Sequence, residues 1–337
     1  MALLVAEEMR RLKDLMFTNI GYVTILVAYD IQLFPLLAKS PRTIAEASEA
    51  LHIATRPAEV LLATCAAQGL LQQQDGYYSL TPAAEVYLPE NDSMYFGDFL
   101  ASLIATDHIL SFESLKKAIL SDSSQVYDGK ALFKMHQEQI TRAYAFTYGM
   151  HIHSLDAAQV WPQLLDLSEH RMMLDIGGGS GTHSIGAAQR WPNLQAIVFD
   201  LQTVCNVTQE IITSSDMQGR VHTHNGNMWE DPFPQSDLHF YSDVYHNWTP
   251  EKGRFLTQKS FDALPSGGRI VLHEILYNDQ KTGPFAAASS SATMLLWTEG
   301  RQYSGADLTT MLTEVGFTDI KILPAFSYWS IVTGRKP

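Results

Sequence analysis

Three features of the sequence predict an α/β fold, with a helical domain ahead of a mostly parallel sheet covered on both faces. Beyond Arg171, short apolar runs alternate with helix-like stretches, as in a parallel sheet whose crossovers are helices. One of those runs leads into residues 177–181, where Gly177, Gly178, Gly179 and Gly181 surround Ser180. The first third instead carries apolar residues at helical spacing and ends in a helix, a turn, a second helix and a small hairpin. That is the order of a winged helix.

The elements follow in sequence. The most apolar stretch, 20–37, is interrupted by Asp30, Gln32 and Pro35, which predicts a buried helix and not a membrane span. Over 43–71 the apolar set Ile44, Ala47, Leu51, Val60, Leu61, Leu62, Ala66 and Leu70 recurs at three and four residues. It divides into two helices near 52–57. Asp75 and Gly76 signal a turn, Tyr77 to Leu80 reads as a strand, and Thr81 with Pro82 opens another helix. A winged helix that gripped DNA would need cations on its second helix, yet Arg56 stands alone there, so a packing role is expected. Residues 121–129 form a polar, serine-rich break, and helical segments resume over 131–167. Strands are predicted at 172–176, 196–200, 221–224, 238–242 and 269–274. The expected domains are thus 1–120, helical and winged; 121–170, a helical linker that lines the pocket; and 171–337, the sheet domain.

Composition agrees with this division. A chain of 337 residues is longer than the ~250 that one hydrophobic core usually serves. Acids outnumber bases 36 to 23, a net charge of -13, which argues against nucleic acid as a partner. Cys65 and Cys205 offer neither a disulfide framework nor metal-ligand spacing, which fits a reducing cytoplasm. The N-terminus lacks the pattern of a secretory signal. His222 and His224 share a strand face, but no cysteine or carboxylate joins them or His239 and His273 in a recognisable spacing, so no metal is expected.

The chemistry concentrates after the strands. Glycine lets the backbone turn tightly and lets a ligand approach closely, and the following helix start offers free N–H groups. Asp200 ends the next strand, where a carboxylate can accept hydrogen bonds from two ribose hydroxyls. Both features would serve a dinucleotide or S-adenosylmethionine. The run Gly-Gly-Gly-Ser-Gly is not the G-x-G-x-x-G spacing preferred for a pyrophosphate.

Taken together, the run 174–181 (Leu-Asp-Ile-Gly-Gly-Gly-Ser-Gly), Val198 to Leu201, Gly226-Asn227-Met228, His246-Asn247-Trp248 and the segment 267–274 fall in a familiar order. They resemble the plant caffeate-type and animal acetylserotonin-type O-methyltransferases and their bacterial natural-product relatives, over nearly the whole chain. The resemblance implies a Rossmann-like S-adenosylmethionine-dependent methyltransferase fold, a winged-helix dimerisation domain and a homodimer. It implies that Gly177 and Gly179 line the methionine part of the cofactor. Asp200 would hold the ribose with Leu201 beside it, and Asn227 and Met228 would bracket the adenine. His246 would be the general base, with Glu274 orienting it. Ser242 and Asp243 fall just before the histidine, where the family often carries Lys or Arg, and Ser242 is counted with the cofactor-binding set. Gln302 takes the place of a family glutamate and is expected to reach His246 by a hydrogen bond. Asn227 and Asn247 likewise replace usual aspartates, and a neutral amide stabilises an imidazolium less than a carboxylate does. Met150, Trp229, Met294, Trp297 and Tyr303 are expected to line a flat substrate pocket. The expected activity is O-methylation of a small aromatic or conjugated hydroxyl. C- or N-methylation, other chemistry with a retained cofactor, and a ligand-sensing winged-helix regulator are the alternatives.

Overall fold

The computed structural model describes residues 2–90, 95–126 and 140–337, so residues 131–139 of the expected helical stretch lie outside it. The chain forms two compact units, Met1–Ala105 and Thr106–Pro337. Segment 121–170, expected as a linker, belongs with the second unit. Its Ser124 and Gln125 bond to the carbonyls of Leu296 and Trp297, and its helix Ile140–Val160 packs on the helices Thr182–Arg190 and Gln202–Ser214.

The first unit has the helix–turn–helix and hairpin read from the sequence. Thr43 caps the helix Ile44–Ala50 by accepting from the Glu46 N–H, while Glu46 accepts from the Thr43 N–H. The helix Thr55–Ala67 buries Ala58, Leu61, Leu62 and Cys65, one stripe at three- and four-residue spacing. Strands β1 (Leu71–Gln74) and β2 (Tyr77–Leu80) pair antiparallel across Asp75 and Gly76. Both turn residues have positive φ, +52° and +86°, as a two-residue hairpin of this hand requires. The apolar stretch 20–37 is not one buried helix. The helix Ala2–Asp30 buries Leu26 and Ala28 but leaves Phe17, Ile20, Val23 and Val27 exposed, and a separate helix, Leu33–Lys39, buries Leu33, Phe34 and Leu37. Among the described residues no single helix is long and apolar enough to cross a membrane.

The second unit is built on a seven-stranded sheet. Its strands are β3 (Met172–Ile176), β4 (Gln195–Asp200), β5 (Val221–Asn225), β6 (Leu238–Ser242), β7 (Arg269–Ile275), β8 (Thr318–Pro324) and β9 (Trp329–Arg335), in the order β5-β4-β3-β6-β7-β9-β8. The first five pair in parallel, and β9 lies antiparallel to both β7 and β8. Alternation divides each central strand between two cores. Met173, Phe240 and Val271 pack with Ile185, Val207 and Ile211 on one face. Leu174, Tyr241 and Leu272 pack with Leu256, Leu308 and Leu312 on the other. Burial on both faces is what makes these strands near-continuous apolar runs in the sequence. The last two strands left no such run: β8 is an exposed edge carrying Asp319, Lys321 and Pro324, and the buried β9 is interrupted by Ser330, Thr333 and Gly334.

From β3 the chain steps outward through β4 to β5, then returns to the other side of β3 for β6 and β7. The crevice between β3 and β6 is therefore a topological switch point, where sheets of this kind bind ligands beyond the strands' carboxyl ends.

Candidate active site

A cavity of about 420 Å³ opens at that switch point. Its wall takes residues 177–180 after β3, Asp200 and Leu201 after β4, 226–229 after β5, and 242–244 after β6. Helix Ile140–Val160 closes it with Phe146, Thr147, Met150 and Ser154.

The glycine loop needs glycine for two reasons. Gly177, Gly179 and Gly181 have φ of +69°, +53° and +75°, a region that side chains disfavour. Gly178 does not, but a Cβ there would lie 2.6 Å from the Asp175 carboxyl carbon. Asp200 ties the loop to β4: its two oxygens accept from the N–H groups of Gly179 at 2.9 Å and Leu201 at 2.7 Å. Burial pushes its carboxyl up to about 6, against the pull of those two donors. Asp175 is more deeply buried. One oxygen accepts from Ser184 at 2.7 Å, while Oδ1 has no partner among the described residues, and burial pushes the group up to about 7.

On the β5 side the Asn227 side-chain oxygen accepts from the Trp229 N–H at 3.0 Å, and Lys259 holds the Met228 carbonyl at 2.7 Å. Trp229 and Trp248 meet edge to face at 4.8 Å, and the Lys252 ammonium lies over both rings while pairing with Glu299 at 2.6 Å. On the β6 side the Ser242 hydroxyl joins His183 Nε2 at 3.0 Å and His273 Nδ1 at 2.9 Å. Burial, with a smaller push from neighbouring imidazoles, lowers both rings far below the ordinary histidine value. They are neutral at physiological pH.

His246 lies in the short turn Tyr245–Asn247 after β6, nine-tenths buried. Its Nδ1 lies 2.6 Å from Glu274 Oε2, and the other Glu274 oxygen accepts from the Tyr245 N–H at 2.8 Å. That carboxylate is anchored at both oxygens, so it sets the ring's orientation and makes Nδ1 the protonated nitrogen. Burial opposes charging of His246, but Glu274 and, at 3.9 Å, Asp243 outweigh it and hold the imidazolium above its ordinary value. One donor atom from each of Asp243, His246 and Glu274 falls within a 4.8 Å cluster. A 2.6 Å separation is a hydrogen bond and too short for two ligands of one ion, which sit about 3 Å apart or more at these bond lengths.

Not every expected residue reaches the cavity. Gly177, Gly179, Asp200, Leu201, Asn227, Met228, Ser242, Met150 and Trp229 line it. His246 does not, although Val244, Asn247 and Trp248 on either side do. Tyr303 is core: it is 1% exposed, and its hydroxyl donates to the Trp248 carbonyl at 2.9 Å. Met294 and Trp297 lie on the helix Phe285–Trp297, away from the cavity wall. Gln302 makes no hydrogen bond to His246. Its backbone N–H bonds to Ser291, and its buried Oε1 has no partner among the described residues. Its loop is nevertheless pressed onto the histidine turn, for a Cβ on Gly300 would run into the backbone of 246–248. His183, Asp243, Thr147 and Ser154 were missed as wall residues. Asp243 stood in the sequence only as an acid in a position usual for a cation, and the other three carry no local signal.

The O-methyltransferase domain model matches residues 112–318, and the model of the family's dimerisation domain matches 14–90. The chain belongs to the O-methyltransferase family. This family depends on S-adenosylmethionine. Among its relatives is a 3-hydroxy-5-methyl-1-naphthoate 3-O-methyltransferase of Streptomyces sahachiroi, 33% identical over 88% of this chain and 86% of that protein. Bovine acetylserotonin O-methyltransferase is 27% identical over 93% of each. An L-tyrosine C(3)-methyltransferase of Streptomyces lavendulae is 29% identical over 92% of this chain and 87% of that protein. In fold, this O-methyltransferase is similar to human N-acetylserotonin methyltransferase solved with S-adenosylmethionine, with TM-score 0.86, 22% identity and 97% of each chain covered.

Proposed function

We propose that the chain transfers a methyl group from S-adenosylmethionine to a hydroxyl of a small aromatic or conjugated acceptor, with His246 as general base. The observation that carries this reading is the 2.6 Å contact of His246 Nδ1 with the anchored Glu274, beside a cavity shaped for a nucleoside. The residues fit the cofactor. Asp200 keeps lone pairs that would hold two ribose hydroxyls, Asn227 and Met228 on the cavity wall would flank the adenine, and the unpartnered Asp175 Oδ1 lies next to the glycine cradle of Gly177 and Gly179. When bound, S-adenosylmethionine supplies an electrophilic methyl group on a sulfonium and leaves as the neutral thioether.

The chain's own work is positioning and proton removal. A phenolic hydroxyl is a weak nucleophile until its proton leaves. With Nδ1 donating to Glu274, His246 takes that proton on Nε2, and the carboxylate steadies the imidazolium. Met150, Trp229 and Phe146 offer flat apolar surface to a ring, while Ser242, between two neutral histidines, supplies hydrogen bonds without charge. The same machinery would serve C-methylation ortho to an ionised phenol, and a relative named for that reaction keeps this alternative in view. We assign the exposed apolar stripe of Leu12, Leu15, Met16, Phe17 and Ile20 to a second copy of the chain, in keeping with the dimerisation domain that covers most of it. The test is to incubate the protein with methyl-labelled S-adenosylmethionine and a panel of phenols, hydroxynaphthoates, amines and keto acids. Label should enter the aryl hydroxyls as ethers, and label confined to the amines or keto acids would overturn the reading.

A further inference from the structure

Asp243 has no role in the reaction so far, yet its placement is unusual. It is an acid at the end of β6 on the cavity wall, its side chain only 14% exposed. Its φ of +54° lies in the left-handed region, which aspartate and asparagine tolerate better than most residues. Such a conformation persists only where surrounding contacts enforce it, and functional sites are where it gathers. Those contacts are present. The Asp243 N–H donates to the His273 carbonyl at 3.1 Å, its own carbonyl accepts from Asn247 at 2.8 Å, and its carboxylate accepts from Trp329 Nε1 at 3.0 and 3.3 Å. Trp329 is fixed in turn, parallel to the His273 ring and edge-on to His153. The carboxylate so held sits 3.9 Å from His246 Nδ1, on the same side of the ring as Glu274. The positions expected to bring further acids to the base hold the neutral Asn247 and Gln302, and the Gln302 side chain does not bond to it.

We infer that Asp243 is the second carboxylate of the His246 base, a positioning residue whose charge raises the basicity of His246 and keeps Nδ1 the donor, so that Nε2 is the nitrogen that takes the proton. This rests on the reading of His246 as base and adds to it. The groups facing the pair come from every neighbouring element: Glu274 and His273 from β7, His183 from the helix Thr182–Arg190, His153 from the helix Ile140–Val160, and Tyr245 and Tyr303 beside Glu274. Burial holds the three other histidines below the ordinary imidazole value and both tyrosines above the ordinary phenol value, so all five are neutral near pH 7. The charges acting on His246 are then the two carboxylates. An opposite charge at this distance raises an imidazole by about one pH unit or more.

The test reads His246 directly in the full chain, labelled with 13C at histidine Cε1 and saturated with S-adenosylhomocysteine. The His246 resonance is identified by its loss in His246→Ala. Asp243→Asn keeps a side chain that tolerates the left-handed backbone and still accepts from Trp329, but removes the charge. We expect its titration midpoint to fall by about one pH unit, and that of Glu274→Gln to fall further. Trp329→Phe, which removes the donor that both holds the buried Asp243 carboxylate and favours its ionised form, should also lower the midpoint. An unmoved midpoint in both Asp243→Asn and Trp329→Phe, with Glu274→Gln still shifted, overturns the role of Asp243 and leaves His246 as base. Wild-type turnover in His246→Ala would remove the base itself, a separate failure.

Discussion

At the scale of single residues, the site depends on where charges are held. Asp200 accepts from two backbone N–H groups and has lone pairs left for a ribose. Asp200→Ala should weaken S-adenosylhomocysteine binding by ~1.5–3 kcal/mol, read by calorimetry, because hydrogen bonds to a charged group are lost. Unchanged affinity would place the ribose elsewhere. Against the cost of its burial, Glu274 and Asp243 hold His246 above the ordinary imidazole value, so its basic form grows as pH rises through that raised value, and turnover should rise with it. The stability linkage runs the other way. The contribution of charged His246 is complete below the ordinary imidazole range and is lost as pH rises through the folded value. Gln302→Glu, attractive from the sequence as a way to restore an acid, should instead destabilise the fold. It would place a carboxylate where Oε1 is buried without a donor, and a thermal melt should show a lower Tm. The sequence singled out Asp200, His246 and Glu274 by their places at or shortly after strand ends, together with the family resemblance. It missed the contact of Asp243 with His246, which depends on a left-handed backbone and on Trp329, 86 residues away.

At the scale of elements, the central strands β3, β4, β6 and β7 left readable apolar runs because both their faces are largely buried, whereas the edge strand β5 is exposed at His222, His224 and Asn225. Strands β8 and β9 left no such run: β8 is an exposed edge that needs none, and the buried β9 is interrupted by Ser330, Thr333 and Gly334. The helix Ile140–Val160 shows a further limit. Its place over the glycine-loop helix is set by Gly186, where a Cβ would meet the Ala158 carbonyl. A close backbone approach of this kind leaves only an unremarkable glycine in the sequence. Gly186→Ala should force the two helices apart and cost ~1–3 kcal/mol in urea unfolding, as overpacking does. Because Phe146, Thr147, Met150 and Ser154 project from that helix into the cavity, the same change should also weaken S-adenosylhomocysteine binding. Full stability in Gly186→Ala would mean that the helix yields without cost.

At the scale of the molecule, the fold puts its glycine loop, Asp200 and the histidine turn at one end of one sheet, while a separate unit carries the dimerisation domain. The apolar run at 20–37 predicted burial, but the exposed stripe extends further toward the N-terminus, to Leu12 and Leu15. A contiguous exposed apolar stripe of this kind marks an interaction surface. Wild type should sediment as a dimer at micromolar concentration, and Leu15→Asp with Phe17→Asp as a monomer. A wild-type monomer would leave the stripe without its assigned partner.

The proposed reaction is tested most directly by the initial rate of methyl transfer from labelled S-adenosylmethionine to an accepted aryl hydroxyl, in wild type and His246→Ala, with S-adenosylhomocysteine affinity measured on both. We expect His246→Ala to lose ~10²–10⁴-fold in rate, the usual cost of removing a general base, while its affinity stays at the wild-type value. A near-normal rate in His246→Ala with the cofactor product still bound would contradict general-base catalysis at this histidine.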